Sequence, residues 1–109
     1  MSRDNFSEKV KTILRTRVAG RCSNPDCRRV TIGPNNDKNK ATILGDAAHI
    51  CAASLGGPRY DPNMTAKERK SIDNAIWLCT SCARRIDKDH TLYSKELLHH
   101  WKESAEKKS

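Results

Sequence analysis

Aromatic and aliphatic side chains are scarce in this chain of 109 residues. Five residues are aromatic, and all hydrophobic residues together make up 36% of the chain. Globular domains usually reach roughly 45–50% when glycine is counted, and the five glycines present here do not close that gap. Small domains with so little core material often depend on a metal ion or on disulfides. We therefore expect the five cysteines to compensate for the missing core.

Long apolar segments are lacking as well. No run approaches the roughly 18–20 residues of a membrane-spanning helix. Residues 1–17 alternate charged and apolar side chains and do not contain the apolar centre of a signal peptide. The sequence therefore predicts a cytoplasmic protein without membrane contact. Structural disulfides are rare in that compartment, where clustered cysteines usually hold a metal ion.

Acidic residues are few beside basic ones. Lys and Arg number 21 against 13 Asp and Glu, so the formal net charge is +8. The excess favours an anionic partner, with nucleic acid first, although a basic chain can also simply be soluble. The length fits one domain, since domains cluster at roughly 100–150 residues, and we assign residues 1–109 to it.

Hydrophobic periodicity predicts a helix near each end of the chain, over residues 5–19 and 94–107. Asn5 begins a capping-box pattern for the first helix, Gly20 is its expected stop, and Ser94 is the expected N-cap of the last. Between them we expect a core over about residues 20–90. Its predicted elements are a polar loop over 33–41, strands over 43–52 and 74–78, a helical turn after the Thr65–Glu68 capping box, and a helix over 79–87.

The cysteines form two closely spaced pairs, Cys22-x4-Cys27 and Cys79-x2-Cys82. Four thiolates from two such turns can complete a closed tetrahedral zinc site that contributes directly to folding. Reduced thiols without metal, or two disulfides, are the alternatives. Four thiolates and one Zn²⁺ sum to −2, which would lower the net charge from +8 to about +6. Cys51 is left over, and its apolar neighbours predict a buried free thiol.

The segment between the two cysteine pairs carries a more specific pattern. Its characteristic stretches, with one from the last helix, are AAHICAAS, GGPRYDP, ERKSIDNAIWLC and LLHHWKESAE. They resemble the HNH endonuclease family, and most closely the HNH effector domains of bacterial anti-phage nucleases, which are often fused to a sensor module. The resemblance covers roughly residues 20–89. It implies an α+β protein with a small zinc-stapled ββα-metal fold, to which the N- and C-terminal helices are added.

The resemblance assigns roles to two residues between the cysteine pairs. His49 matches the first His of the family pattern and would be the general base that activates water for attack on a phosphodiester. Asn74 matches the middle Asn and would hold the loop and orient the base. One divalent ion, Mg²⁺ or Mn²⁺, would bind the scissile phosphate and stabilise the charge of the transition state.

The expected ligands of that divalent ion depart from the family pattern. Ala48 stands where many members carry Asp or His, and Ala83 stands where many carry His. Asp87 lies one helical turn beyond Ala83, so it could still reach the ion and is the predicted ligand. Asp46, two residues before Ala48, would share a strand face with it and is a second candidate. Asp89 and His90 are further candidates.

Contact with DNA is expected to involve mostly the phosphate backbone, because the sequence offers no recognition helix with an interpretable base code. Binding should therefore be salt-sensitive and weakly sequence-selective. We predict phosphate contacts for Arg59, Arg84 and Arg85. Lys67, Arg69 and Lys70 are further candidates. For these three, as for Arg84 and Arg85, the alternative is a solvated surface, which is the more common role of a run of charges.

Two functions remain open at this point. The first is a metal-dependent HNH endonuclease that hydrolyses DNA phosphodiester bonds. The second is a catalytically inactive zinc module that binds nucleic acid or protein, which Ala48 and Ala83 favour. The sequence leaves open DNA versus RNA, nicking versus double-strand cutting, a homodimer, and fusion to or regulation by a sensor domain.

Overall fold

The computed structural model describes residues 5–109. Residues 1–4, which belong to the assigned 1–109 domain, lie outside the described part of the chain. The described residues form a compact α+β arrangement with two small antiparallel sheets. In order, its elements are α1 (Glu8–Arg17), β1 (Ile32–Pro34), β2 (Ala41–Ile43), β3 (Gly45–His49), α2 (Ala66–Arg69), a 3-10 turn (Ile72–Asn74), β4 (Ala75–Cys79), α3 (Thr80–Lys88) and α4 (Lys95–Lys108).

Strand β4 lies at the centre of the fold, and all five of its residues are buried. It pairs antiparallel with β3, in a register that runs from Gly45 opposite Cys79 to His49 opposite Ala75. Helices α1, α3 and α4 all pack against it. An apolar strand with both faces covered is typical of a sheet enclosed between layers.

Two apolar clusters lie on the two faces of β4. Ile76 and Leu78 belong to a cluster with α3 and α4, whereas Ala75 and Trp77 belong to a cluster with α1. The alternation follows from the two-residue period of a strand. One five-residue strand therefore serves both cores, which reduces the apolar residues that the chain needs.

The two terminal helices agree with the sequence prediction, with small shifts at their ends. Helix α1 covers Glu8–Arg17 within the predicted 5–19, and its N-cap is Ser7, whose hydroxyl accepts from the Val10 N–H (3.2 Å), so the prediction of Asn5 as cap is wrong. Gly20, with φ of 70°, follows the helix end as expected. Ser94 is the N-cap of α4, as predicted.

The middle of the chain differs more from the prediction. The expected loop over 33–41 instead contributes to a hairpin, in which Ile32 pairs with Ile43 and Pro34 with Ala41. The expected strand over 43–52 is shorter, because β3 ends at His49. The Thr65–Glu68 capping box is present, and β4 begins one residue later than predicted. No helix in residues 5–109 is long and apolar enough to cross a membrane.

Candidate metal centre and active site

The two cysteine pairs meet in one cluster. The Sγ atoms of Cys22, Cys27, Cys79 and Cys82 all lie within 4.8 Å of one another, and the Cys27 and Cys79 sulfurs are 3.9 Å apart. Four sulfurs around a tetrahedral zinc, with Zn–S bonds of about 2.3 Å, would be separated by roughly 3.8 Å. All five cysteines carry free thiols, so the alternative of two disulfides is not observed. The donor set therefore fits a structural metal ion such as Zn²⁺.

Local hydrogen bonds can stabilise negative charge on the sulfur atoms of this cluster. The Cys82 N–H donates to Cys79 Sγ and the Asn24 amide donates to Cys82 Sγ, both at 3.5 Å. The Ser23 N–H donates to the Trp77 carbonyl (2.9 Å), which fixes the first cysteine turn against β4. Donors aimed at thiolate sulfur orient metal ligands and support their deprotonated form.

Burial shapes the acidity of these thiols. It raises the pKa of Cys22 far above the ordinary value, and it raises the pKa of Cys82. Burial also acts on Cys79, but hydrogen bonds from Cys82, Cys27 and Cys22 outweigh it and lower the pKa of that thiol. A metal ion therefore has to displace protons when it binds, so metal loading will be pH-dependent.

His49 lies at the end of β3 and lines a cleft of about 470 Å³ between this strand and α3. Its ring stacks on Phe6, with 4.1 Å between the ring centroids and 22° between the planes. Phe6 is buried, so the stacking limits rotation of the imidazole. The site candidates Asp46, Arg84 and Asp87 also line this cleft. So do Ala48 and Ala83, the two positions where the family pattern has ligands. Phe6 was not among the predicted site residues.

Asn74 is buried behind the cleft and holds the chain that follows His49. Its Oδ1 accepts from the Cys51 N–H (2.9 Å), and its Nδ2 donates to the carbonyls of Cys51 and Arg69 (both 3.0 Å). Its own carbonyl accepts from the Ile50 N–H (2.9 Å). These bonds fix the two residues directly after His49, which matches the loop-holding role that the family resemblance implies.

The Arg59 side chain is buried and hydrogen-bonded within the protein. Its side chain is 7% exposed and pairs with Asp87 Oδ1 at 3.0 Å. It also donates to the carbonyls of Ile50, Ile86 and, at longer distance, His49 and Tyr93. The structure therefore favours a structural role for Arg59 over the predicted phosphate contact.

The cleft offers few ligands for a second metal ion. Asp87 lines it and is 54% exposed, although one of its oxygens accepts from Arg59. Within residues 5–109, the four cysteines are the only group of three or more His, Cys, Asp or Glu side chains positioned to hold an ion. Asp46, His49 and Asp87 thus share the cleft without forming a preformed three-ligand site.

The remaining predicted phosphate contacts divide between two surfaces. Arg84 lines the His49 cleft, whereas Arg85 lines a second groove of about 300 Å³ beside the cysteine cluster. Arg69 is engaged within the fold, donating to the Tyr60 hydroxyl (3.0 Å) and the Asp61 carbonyl (3.1 Å).

A larger cavity of about 720 Å³, which the sequence did not indicate, lies between α4 and the α2 segment. Cys51 lies in its wall, and burial raises the pKa of that thiol. Five acidic residues line the cavity: Asp61, Glu68, Asp73, Glu96 and Glu103. Lys95, His99 and His100 line the cavity as well, so its carboxylates outnumber its single lysine, although the chain as a whole is basic.

No protein-family model matches the chain, and a comparison with curated proteins finds no match either. A functional proposal therefore depends on the geometry of the cysteine cluster and the His49 cleft, together with the resemblance noted in the sequence.

Proposed function

We propose that this chain is a metal-dependent HNH endonuclease that hydrolyses phosphodiester bonds in DNA, with His49 as the general base. One observation carries the proposal. His49 and Asp87, 38 positions apart in the sequence, line the same cleft between β3 and α3. The order β3, β4, α3, with the cysteine cluster at its base, agrees with the ββα-metal arrangement that the sequence resembles.

The proposed role of His49 follows from its position and its neighbours. Imidazole changes charge near neutral pH, so a neutral ring can accept a proton from a water molecule that attacks phosphorus. Stacking on Phe6 keeps the ring in one plane. The Asn74 side chain fixes the backbone just beyond His49, and it acts as a positioning residue that does not line the cleft.

The divalent ion would be held by Asp87, with Asp46 as a second protein ligand. Mg²⁺ commonly binds through one or two carboxylates and retains several waters, so a site with two protein ligands is compatible with it. When bound, such an ion supplies charge stabilisation at the phosphate and at the leaving oxygen. Arg84, in the same cleft, would contact a neighbouring phosphate oxygen.

The biological setting belongs to the same proposal. The resemblance to HNH effector domains suggests anti-phage defence, in which a sensor module controls cleavage. Such an effector needs little sequence selectivity, which agrees with a surface that offers arginines for phosphate contacts.

Replacement of His49 by alanine tests the proposal. We expect His49→Ala to abolish nicking of supercoiled DNA in the presence of Mg²⁺ or Mn²⁺, because no other base would activate the water. His100→Ala, an exposed histidine on α4, is the matched control and should cleave like the wild type. Zinc content and the circular dichroism spectrum should be the same in all three proteins. Nicking that persists in the zinc-loaded His49→Ala variant would disprove the mechanism.

A non-catalytic zinc module is the second candidate function. The presence of Ala48 and Ala83 in the cleft, where ligands are expected, favours it. A titration with Mn²⁺ separates the two functions, because a paramagnetic ion broadens NMR signals near its site. Selective broadening of His49 and Asp87 would support the nuclease, and unchanged signals in that cleft would support the binding module.

A further inference from the structure

The structure divides the arginines into two groups. Of the nine arginines in residues 5–109, six are engaged by carbonyl, carboxylate or hydroxyl oxygens or lie over aromatic rings: Arg15, Arg17, Arg21, Arg28, Arg59 and Arg69. The other three, Arg29, Arg84 and Arg85, are exposed, and they make no side-chain hydrogen bond, ion pair or ring contact with any described residue.

The three uncommitted arginines lie close to α3, on two separate surfaces. Arg84 lines the His49 cleft. Arg29 and Arg85 line the groove beside the cysteine cluster, and we call it the knuckle groove. Arg29 comes from the first cysteine turn and Arg85 from α3, so the cysteine cluster brings the two guanidinium groups to one surface. Cys27, Cys79 and Cys82 of the cluster line this groove as well, so the groove opens onto the candidate metal centre itself. The remaining lining residues are Asn24, Ser81 and the acidic Asp26.

We propose that the knuckle groove is a second phosphate-binding site, occupied by the backbone of the same nucleic acid that enters the His49 cleft. This inference rests on the proposed function and extends it from the cleavage site to the path of the substrate. The planar guanidinium matches a phosphate through paired hydrogen bonds. Because the Arg29 and Arg85 side chains make no hydrogen bond or ion pair within the described fold, a phosphate can bind them without breaking an internal contact.

The distribution of charge supports this path. The large cavity beneath α4 has five acidic residues against one lysine, Lys95, and this excess of negative charge would repel a polyanion there. The knuckle groove, by contrast, has the two free guanidinium groups of Arg29 and Arg85 against the single carboxylate of Asp26. The His49 cleft adds the free guanidinium group of Arg84. A strand that contacts both surfaces would cross α3, which carries Arg84 and Arg85 at adjacent positions.

The cysteine cluster provides the strongest competing explanation. With zinc bound, its four thiolates carry a net charge of −2, and Arg29 and Arg85 could serve only to offset that charge. In that case their removal would weaken zinc retention and leave binding of nucleic acid unchanged. Removal of the two arginines should therefore weaken DNA binding under our proposal, and zinc retention under the alternative.

Binding can be measured without cleavage in the His49→Ala background. Fluorescence anisotropy with a labelled DNA duplex, repeated between 50 and 200 mM salt, gives the dependence of log K on log salt. Addition of Arg29→Gln and Arg85→Gln should reduce the magnitude of that negative slope by about 2, since each lost phosphate contact removes about 1. Lys107→Gln with Lys108→Gln, at the exposed end of α4, changes the net charge equally and should alter the slope much less.

Three results would overturn the knuckle groove as a phosphate site. These are an unchanged slope in the Arg29→Gln/Arg85→Gln protein, an equal loss in the Lys107→Gln/Lys108→Gln control, or a loss of zinc to a chelator while binding stays intact. The readout also separates this inference from the proposed function. If these arginines contribute to DNA binding but the wild-type protein never cleaves, the nuclease proposal alone is refuted. If the wild-type protein cleaves but the two arginine substitutions leave DNA binding unchanged, the groove proposal alone is refuted.

Discussion

Arg59 shows how a single residue can differ from its sequence-based prediction. A loop arginine in the stretch GGPRYDP suggests a phosphate contact, but its guanidinium lies inside the protein against Asp87 and the backbone carbonyls near His49. The acceptors come from β3, α3 and the segment before α4. Arg59 therefore connects the strand that carries His49 to the helix that carries Asp87, and it supports the cleft from behind.

We expect Arg59→Leu to lower the free energy of unfolding by about 3 kcal/mol, because buried carbonyls would lose their donors. Arg84→Leu, on the exposed face of α3, is the matched control and should stay within about 0.5 kcal/mol of the wild type. Urea unfolding of the zinc-loaded proteins, followed by tryptophan fluorescence, measures both. Equal midpoints for the two variants would show that Arg59 is not a structural cross-link.

At the scale of elements, α1 and α4 are joined across the fold near β4. Arg17 donates to both carboxylate oxygens of Glu106, at 2.8 and 3.1 Å. Lys102 adds hydrogen bonds from α4 to the carbonyls of Ile72 and Ala75, both at 2.6 Å. The two helices predicted at the chain ends thus stabilise the same central strand.

The Arg17–Glu106 pair should make a pH-dependent contribution to stability. The hydrogen bond and the charge of Arg17 lower the pKa of Glu106 below its ordinary value of 4.5. A carboxyl group with a lowered pKa in the folded state stabilises that state above the ordinary value, and this contribution is lost as the pH falls through the lowered value.

Glu106→Gln should therefore lower the urea midpoint slightly and by a constant amount between pH 6 and 8, where the carboxylate is ionised in both states. The difference from the wild type should shrink below pH 4.5. Both proteins are compared at each pH, so that acid release of zinc affects them alike. A difference that grows as the pH falls would contradict the assignment.

For the whole molecule, the cysteine cluster joins parts of the chain that are far apart in sequence. It brings the Cys22–Cys27 turn to the junction of β4 and α3, 52 residues beyond Cys27. Its sulfurs belong to the same apolar cluster as Ile76 and Leu78. A metal ion bound here would replace part of the core that a chain with 36% hydrophobic residues cannot supply.

Removal of zinc should therefore unfold the protein. We expect one zinc per chain and loss of cooperative thermal unfolding after treatment with a strong chelator, with recovery when zinc is restored. Cys82→Ser should reproduce the loss. Cys51→Ala, the matched control at a buried cysteine outside the cluster, should keep its zinc. A chelated protein that still unfolds cooperatively at the same temperature would show that the metal is not structural.

Much of the local structure could be predicted from the sequence. Ser94 and the Thr65–Glu68 capping box mark helix starts because capping depends on residues only three positions apart. The β1–β2 hairpin could not be predicted, since β1 carries Gly33 and Pro34 and neither three-residue strand shows a clear alternation. The predicted end of β3 is wrong because the apolar run continues past His49.

The sequence by itself determined which four cysteines could hold a metal ion and the order of the helices and central strands, because close spacing and periodicity are local properties of the chain. Only the tertiary structure decided which arginines are free, since the acceptors that engage Arg59 at Ile86 and Tyr93 lie 27 and 34 residues away. It likewise placed Phe6 on the ring of His49. Such partners are set by how distant elements pack, and packing is a property of the whole fold.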